Sequence, residues 1–230
     1  MSPISSRKRQ QIGLGTLQEC LALAFSATIC RYRDKIAIAF FLGILACLAR
    51  GGKTLGLGEP AESWFDAFGC LIAALGHVLR VMALRHIGPR SRTHRLGARQ
   101  LVQGGPYAVV RNPLYLGNWL IAVGLCVVAQ LRWLLLAGPL VAFLLYYVVS
   151  LAEEQRLLEQ FGDDYRRYCE TTPRFFPRRL FTRRGWRDLL DARGPHAVFR
   201  TKEYWAFLST ATCVILIELI DALSRAGGSQ

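Results

Sequence analysis

The fold of this chain is decided by residues 104–117, a glycine-rich and basic segment that reads GGPYAVVRNPLYLG and lies between two apolar stretches. Gly104 and Gly105 permit the positive φ angles that bring a backbone close to a ligand. Asn112 before Pro113 is typical of an N-cap followed by proline at the first helical position. We therefore expect an apolar helix to begin here, with its positive dipole end beside the loop. Taken alone, the segment is equally compatible with a plain connecting loop.

The composition indicates a membrane protein with sizeable polar segments. The 230 residues are 52% hydrophobic, with a mean hydropathy of +0.25, which is apolar for a soluble domain and low for a pure bundle of spans. The net charge of +13 is compatible with nucleic-acid binding. Because the basic residues cluster between apolar stretches, we predict instead that they face anionic lipid, with no nucleic-acid partner. The scattered cysteines, without a CxxC pair, predict buried hydrophobic side chains and no metal site.

Two apolar stretches follow the loop and predict a helical hairpin. Residues 114–130 and 133–151 are separated only by a short connection around Leu131 and Arg132, so the two helices must run antiparallel. Their near ends are flanked by basic residues and should both lie on the cytoplasmic side. The hairpin therefore brings residues 104–117 to the same side of the membrane as Glu153 and Glu154.

The remaining apolar stretches bring the prediction to about five transmembrane helices. Residues 12–30 form an uncleaved helix that spans the membrane or lies in its interface, residues 36–49 are short for a span, and residues 64–87 and 204–223 are long enough. His77 and Arg80 are charged or polar residues within a span, which makes them site hypotheses. An ordinary interior histidine and a snorkelling arginine are the simpler interpretations. Near the far end of the last helix, Glu218 and Asp221 need not be buried.

We predict an all-α, multi-span integral membrane protein with three regions. Residues 1–62 hold N-terminal membrane helices, residues 63–177 form the core with the hairpin and a cytoplasmic cofactor pocket, and residues 178–230 hold a basic cytoplasmic segment and a last transmembrane helix. In the third region, Trp186 lies among arginines and indicates a short amphipathic helix on the membrane surface. The oligomeric state stays open.

Three further segments carry a family resemblance. Glu153-Glu154 is followed by FGDDYRRY at residues 161–168 and by TPRFFP at residues 172–177. With the loop and the hairpin, these segments resemble the integral-membrane methyltransferases of the isoprenylcysteine carboxyl methyltransferase and phospholipid N-methyltransferase superfamily, over roughly residues 68–177. That family carries a Gly-x-Tyr-x-x-x-Arg-(His or Asn)-Pro-x-Tyr-x-Gly signature before its hairpin. The resemblance implies S-adenosylmethionine as cofactor, a membrane lipid as acceptor, and a bacterial inner membrane or endoplasmic reticulum as location.

The resemblance also implies which residues form the site. The implied catalytic residues are Arg111, Asn112 and Tyr115, and the implied cofactor-binding residues are Gly105, Tyr107, Arg111, Pro113, Tyr115, Gly117, Glu153 and Glu154. Their chemistry suits the cofactor, since carboxylates accept hydrogen bonds from its ammonium or ribose, Arg111 pairs with its carboxylate, and aromatic rings face its sulfonium. In-line methyl transfer needs positioning and exclusion of water more than a protein nucleophile or a metal. The simpler interpretations are a solvated helix end for the glutamates and interfacial anchoring for Tyr115.

The residue before Pro113 bears on the acceptor. Prenylcysteine enzymes usually carry histidine there, and a second histidine just before the Leu-Val of the loop, where this chain has Asn112 and Arg99. These differences favour a phospholipid amine such as phosphatidylethanolamine as acceptor. Isoprenylcysteine carboxyl methylation, an NADPH-dependent sterol or steroid reductase, and a non-catalytic protein of the same fold remain alternatives.

Overall fold

The computed structural model describes residues 38–39, 41–50, 53–58, 60–87, 101–189 and 203–227, and every regular element among them is helical. The elements are α1 (Phe41–Arg50), α2 (Ala61–Ile87), α3 (Pro106–Val109), α4 (Pro113–Ala129), α5 (Arg132–Phe161), α6 (Asp163–Thr171), a 3-10 helix (Arg178–Phe181), α7 (Arg183–Leu189) and α8 (Glu203–Gly227). The predicted helix over residues 12–30 and most of the arginines before residue 101 lie outside these ranges.

Three of the helices are long and apolar enough to cross a membrane, namely α2, α5 and the Glu203–Ala226 part of α8. Two shorter apolar helices, α1 and α4, accompany them. Many large apolar side chains on the long helices point outward, as lipid-facing residues do. The prediction of an all-helical, multi-span membrane protein is thus confirmed.

The hairpin of α4 and α5 forms as predicted: both ends of α4 and the start of α5 lie within one residue of the expected bounds, and α5 runs ten residues beyond residue 151. Gln130 turns the chain with a left-handed φ of 50°. Its side-chain amide donates to Asp66 Oδ1 at 2.8 Å and ties the turn to α2. At the other end, α5 continues to Phe161, where Gly162 with φ 52° separates it from α6. The hairpin therefore returns Glu153 to the end of the molecule at which α4 begins.

Helices α2 and α4 approach each other through paired glycines. A Cβ atom on Gly69 would lie 2.7 Å from the carbonyl oxygen of Gly124, and one on Gly76 would lie 2.6 Å from that of Gly117. Small residues at such contacts let the backbones of membrane helices pack closely. This packing fixes the position of α4, and with it the residues at its N-terminal end. Elsewhere, Leu48 of α1 and Ile217 of α8 join the hairpin in a buried apolar cluster.

A polar cluster closes the opposite end of the helices and corrects the expectation for α8. Asp221 is only 4% exposed and accepts a hydrogen bond from Lys53 N at 2.7 Å. The Lys53 ammonium lies 3.0 Å from carboxylate oxygens of both Asp66 and Glu218. Burial alone would lower the pKa of Lys53, but the hydrogen bonds with Asp66 and Glu218 outweigh burial and raise it. Asp221 is therefore buried because the loop before α2 covers it.

Candidate cofactor site

A cavity of about 90 Å³ lies between the start of α4, the loop before it and the end of α5. Predicted site residues from both sides of the hairpin line this cavity, namely Tyr107, Arg111, Asn112, Pro113, Tyr115 and Glu153. The other walls are Ile87, Leu101, Val102, Leu114, Leu157 and Tyr168. The hairpin thus brings together two sequence motifs that lie about forty residues apart.

The loop is held in shape by Gly105 and by pairing with the segment after α6. Gly105 adopts a φ of 60°, and its Cα packs so closely on the His86 ring that a Cβ would collide with it. Two backbone hydrogen bonds join the loop to the segment after α6, from Arg111 N to Pro173 O at 2.9 Å and from Asn112 N to Arg174 O at 3.3 Å. Gly105 is buried and is not among the residues that line the cavity, so the structure gives it a role in shaping the loop, and its contact with the cofactor stays a prediction.

Glu154 is the centre of a buried ion-pair network. Glu154 is only 7% exposed, and its Oε2 lies 3.0 Å from Arg111 Nη1. The Arg174 guanidinium forks onto it, with Nε–Oε1 at 2.9 Å and Nη2–Oε2 at 3.0 Å. This hydrogen bonding with Glu154 raises the pKa of Arg174. Two arginines and Asn112 occupy the oxygens of Glu154, so its predicted contact with the cofactor stays a prediction without a free acceptor site in this arrangement.

Asn112 occupies the N-cap position of α4 as predicted, but its side chain does not cap the helix. Its amide Nδ2 instead donates to Glu154 Oε1 at 2.6 Å. The backbone carbonyl of Asn112 accepts the first helical bond, from Leu116 N at 3.0 Å. The side chain therefore joins the loop to α5, which is a different role from capping.

Glu153 faces the other way and is exposed at the cavity. Its Oε2 accepts a hydrogen bond from the Tyr115 hydroxyl at 2.6 Å. Since an ionised carboxylate has about four lone-pair sites, Glu153 retains acceptor capacity for a ligand. Burial and the nearby charge of Glu153 raise the pKa of Tyr107 well above its usual value, so the Tyr107 hydroxyl stays protonated at neutral pH. The cavity thus combines one carboxylate with three tyrosine side chains.

Gly117, also predicted to bind the cofactor, lies away from the cavity. A Cβ on Gly117 would meet Arg80 Cγ at 2.6 Å and the carbonyl oxygen of Gly76 at 2.8 Å. The residue is buried against α2. Its contacts are therefore those of helix packing, which the signature spacing does not distinguish from ligand binding, and its contact with the cofactor stays a prediction.

Two residues of the site have no role assigned by the sequence. Tyr168 on α6 lines the cavity and donates its hydroxyl hydrogen to Tyr107 O at 2.7 Å. Arg174 binds Glu154 and also donates from Nη1 to the Tyr147 hydroxyl at 2.9 Å. Tyr168 lies in FGDDYRRY and Arg174 in TPRFFP. These two family segments after the hairpin were therefore the sequence signal for them.

Comparison with known proteins agrees with this architecture. Residues 64–164 match the family described as Phospholipid methyltransferase. The protein-S-isoprenylcysteine O-methyltransferase of Schizosaccharomyces pombe is 29% identical over 164 residues, covering 61% of this chain and 66% of that protein. The nickel-cobalt-cadmium resistance protein NccN of Alcaligenes xylosoxydans xylosoxydans is 33% identical over 122 residues, covering 51% of this chain and 54% of that protein.

A third relative is the cobalt-zinc-cadmium resistance protein CzcN of Cupriavidus metallidurans, 36% identical over 78 residues, or 34% of this chain and 36% of that protein. The chain thus spans between about a third and two thirds of the length of these curated relatives. No solved structure gives a significant match.

The fold and the site define a multi-span helical membrane protein with a pocket at the open end of a hairpin. With the matches, they confirm the resemblance of this chain to the integral-membrane methyltransferase superfamily, which is strongest over residues 64–164.

Proposed function

We propose that this protein transfers a methyl group from S-adenosylmethionine to a membrane-embedded lipid, and that the acceptor is a phospholipid amine. The observation that carries the proposal is the convergence of Tyr107, Tyr115 and Glu153 on one cavity. These residues come from the two family motifs on either side of the hairpin. The match of residues 64–164 to a phospholipid methyltransferase family supports the same reaction class.

The side chains at the cavity suit this cofactor, which supplies an electrophilic methyl group when bound. Glu153 accepts hydrogen bonds from the cofactor's ammonium or ribose hydroxyls. The aromatic rings of Tyr107 and Tyr115 attract a sulfonium through their negative faces. The cavity of about 90 Å³ is smaller than the roughly 300–1,000 Å³ of a pocket that encloses a whole ligand. The described walls therefore surround only part of the cofactor.

The residues divide into those that touch the reactants and those that position them. Tyr115 lines the cavity and holds Glu153, so we assign both to direct contact. Arg111 and Asn112 line the cavity as well, but their side chains bind Glu154. We therefore propose that these two are positioning residues, which fix the loop and the first turn of α4 against α5. Pro113 contributes the fixed start of that turn.

The proposal also covers the side of the membrane on which the cavity lies and the identity of the methyl acceptor. We place the cavity on the cytoplasmic side, because arginines are dense in the loop that leads into it, at Arg90, Arg92, Arg95, Arg99 and Arg111. A phospholipid amine is favoured by the description of the matching family and by Asn112, which stands where prenylcysteine enzymes usually carry histidine.

Carboxyl methylation of isoprenylcysteine is the second candidate function. It is favoured by the similarity to the isoprenylcysteine O-methyltransferase of Schizosaccharomyces pombe, which extends over 164 residues and so beyond the 64–164 segment. The two candidates share the methyl donor and differ only in the acceptor.

Binding and transfer assays on the purified full chain test the proposal. We expect calorimetry to show binding of S-adenosylmethionine and none of NADPH, and mass spectrometry to show methylated phosphatidylethanolamine in reconstituted vesicles. Glu153→Gln should weaken S-adenosylmethionine binding, whereas Glu159→Gln, which changes an exposed carboxylate later on the same helix, should not. Methylation of a prenylcysteine but not of phosphatidylethanolamine would select the second candidate. Binding of NADPH alone would reject both.

A further inference from the structure

A segment rich in exposed aromatic rings and arginines follows α6. It comprises residues 176–189, which include the 3-10 helix and α7, and is called the basic aromatic segment below. Its residues Phe176, Phe181 and Trp186 are 63%, 83% and 52% exposed. Exposed arginines are interleaved with these rings, namely Arg178, Arg183 and Arg187. Large apolar rings among basic residues are typical of a segment that lies in a membrane interface.

This segment packs on the wall of the cofactor cavity. Its 3-10 helix and α7 both contact α3, the single turn Pro106–Val109. Tyr107 of α3 lines the cavity, and its carbonyl oxygen accepts the hydrogen bond from Tyr168. A single helical turn is not stable on its own, so the position of α3 depends on the elements that pack against it. The basic aromatic segment therefore helps to hold Tyr107 in place.

The start of α8 marks the membrane boundary at the cavity end of the helices. Glu203 pairs at 2.9 Å with Arg80 near the end of α2, and the Arg80 side chain is only 17% exposed. The expectation that Arg80 snorkels to the membrane surface is therefore corrected, since its guanidinium is bound inside the protein. Tyr204 and Trp205 follow with exposed rings, as in the aromatic belt of a membrane interface. Since the basic aromatic segment contacts α3 and precedes α8 in the chain, it lies at the same boundary.

We propose that the basic aromatic segment is a docking surface for the anionic lipids of the surrounding bilayer, and that docking holds α3 in place and so strengthens binding of the methyl donor. The rings insert at the level of the lipid head groups, and the arginines bind their phosphates. This inference rests on the proposed S-adenosylmethionine site and adds its regulation by the membrane. It assigns a role to residues 176–189, which lie outside the matching residues 64–164.

The positive charge of the segment selects anionic lipid. Guanidinium groups bind phosphate oxygens through paired N–H donors, and each basic residue near an anionic leaflet strengthens the attraction about fivefold. A zwitterionic surface carries no net charge, so it leaves only the insertion of the aromatic rings. Linkage makes the coupling reciprocal: a lipid that binds better when α3 is in place strengthens, by the same factor, any ligand that also requires α3 in place.

Hydrogen exchange and calorimetry on the full chain test the inference without relying on methyl transfer. The protein is reconstituted in nanodiscs of phosphatidylcholine, or of equal parts of phosphatidylcholine and phosphatidylglycerol. Mass spectrometry follows exchange in peptides that contain residues 106–109 and 183–189, and calorimetry measures S-adenosylmethionine affinity. The double variant Arg183→Gln, Arg187→Gln removes two charges from the docking surface. Arg166→Gln with Arg167→Gln is the matched control, because these exposed arginines of α6 already pair with aspartates.

We expect phosphatidylglycerol to slow exchange in both wild-type peptides and to raise S-adenosylmethionine affinity. The double variant on α7 should reduce this gain in affinity by about five- to twenty-fivefold, because linkage limits the loss to the attraction of two arginines. The control on α6 should keep the gain.

Three results would overturn the inference. The first is equal exchange of the wild type in the two lipids, which needs no variant to fold. The second is slower exchange at residues 183–189 without any change at residues 106–109, since lipid would then dock without acting on α3. The third is a gain in affinity that the α7 variant keeps or that the α6 control loses equally. If both peptides respond as expected but S-adenosylmethionine binds in neither lipid, the docking inference stands and the proposed function alone is contradicted.

Discussion

The side-chain amide of Asn112 donates to Glu154 Oε1 across 2.6 Å, between the first residue before α4 and the last part of α5. Both residues are buried. The bond helps to close the open end of the hairpin, where Tyr115 of α4 also donates to Glu153 of α5. The geometry of the cofactor cavity therefore depends on a contact between two motifs that are remote in sequence.

Substitutions of Asn112 separate this contact from helix capping. An N-cap role would make Asp the best replacement, since its oxygen accepts from the first backbone N–H groups. Because Asn112 instead donates to a buried carboxylate, we expect Asn112→Asp to be the most damaging change, through repulsion with Glu154. Asn112→Ala should cost about 1–3 kcal/mol of stability, from a buried acceptor that loses a donor. Thermal unfolding of both variants in detergent measures this. An Asp variant as stable as wild type would return Asn112 to a capping role.

The adjacent glutamates should respond in opposite ways to loss of charge. Glu154→Gln leaves Arg111 and Arg174 without a charged partner. We expect the free energy of unfolding to fall by about 3 kcal/mol or less, at the lower limit for a broken buried ion pair, because Arg174 remains partly exposed. Glu153→Gln should leave stability unchanged and weaken S-adenosylmethionine binding about ten- to a hundredfold. Unfolding temperature and calorimetric affinity, measured on both variants and on Glu159→Gln, give the comparison. Equal effects of the two substitutions on affinity would refute the division of roles.

Much of the fold was predictable from local sequence. The apolar lengths and the short connection at Leu131 specify the hairpin, because two apolar helices joined so tightly must run antiparallel. Gly162 and Asp163, at the boundary between α5 and α6, have the chain-reversing and helix-starting preferences that such a boundary needs. The spacing of the family motifs also predicted that Tyr107 and Glu153 would lie close together, and both line one cavity.

The partners within the site were not predictable, because they depend on tertiary contacts. No local pattern distinguishes Glu153, which faces the cavity, from Glu154, which faces two arginines, since neighbouring residues on a helix point about 100° apart and either could face inward. The same holds for Arg80, whose partner Glu203 is more than a hundred residues away. Gly117 fits the signature, yet only the position of α2 reveals that it serves packing.

Neighbouring glycines at the start of the loop provide a matched pair of variants. Gly105→Ala forces a side chain into a φ of 60° and against the His86 ring, so we expect it to lower both unfolding temperature and S-adenosylmethionine affinity, at a cost of about 1–3 kcal/mol. Gly104→Ala should be nearly neutral, because among the described residues its Cβ would meet only His86 Cδ2, at 3.9 Å. His86→Ala combined with Gly105→Ala should recover part of the loss. Equal tolerance of both single substitutions would argue against the close packing of Gly105.

Tyr107 should make stability depend on pH in the alkaline range. Burial and the charge of Glu153 raise the pKa of Tyr107 in the folded protein above its ordinary value of about 10. Above pH ~10 the unfolded chain loses the Tyr107 hydroxyl proton more readily than the native protein does. The contribution of Tyr107 to stability is therefore complete at lower pH and declines as the pH rises. The free energy of unfolding of wild type should fall more between pH 8 and pH 11 than that of Tyr107→Phe. Parallel pH dependence in the two proteins would contradict the buried state of the hydroxyl.

Gly117 tests whether a signature residue acts by packing or by ligand contact. A methyl group there would press on Arg80 Cγ and on the carbonyl oxygen of Gly76, and overpacking of this kind costs about 1–3 kcal/mol. We expect Gly117→Ala to lower the unfolding temperature while the folded fraction binds S-adenosylmethionine with wild-type affinity. Gly43→Ala is the matched control, because nothing lies within 4 Å of its added Cβ in the described residues. A Gly117→Ala protein of normal stability that binds S-adenosylmethionine weakly would restore the cofactor contact implied by the signature, and would require α4 to turn this residue toward the cavity.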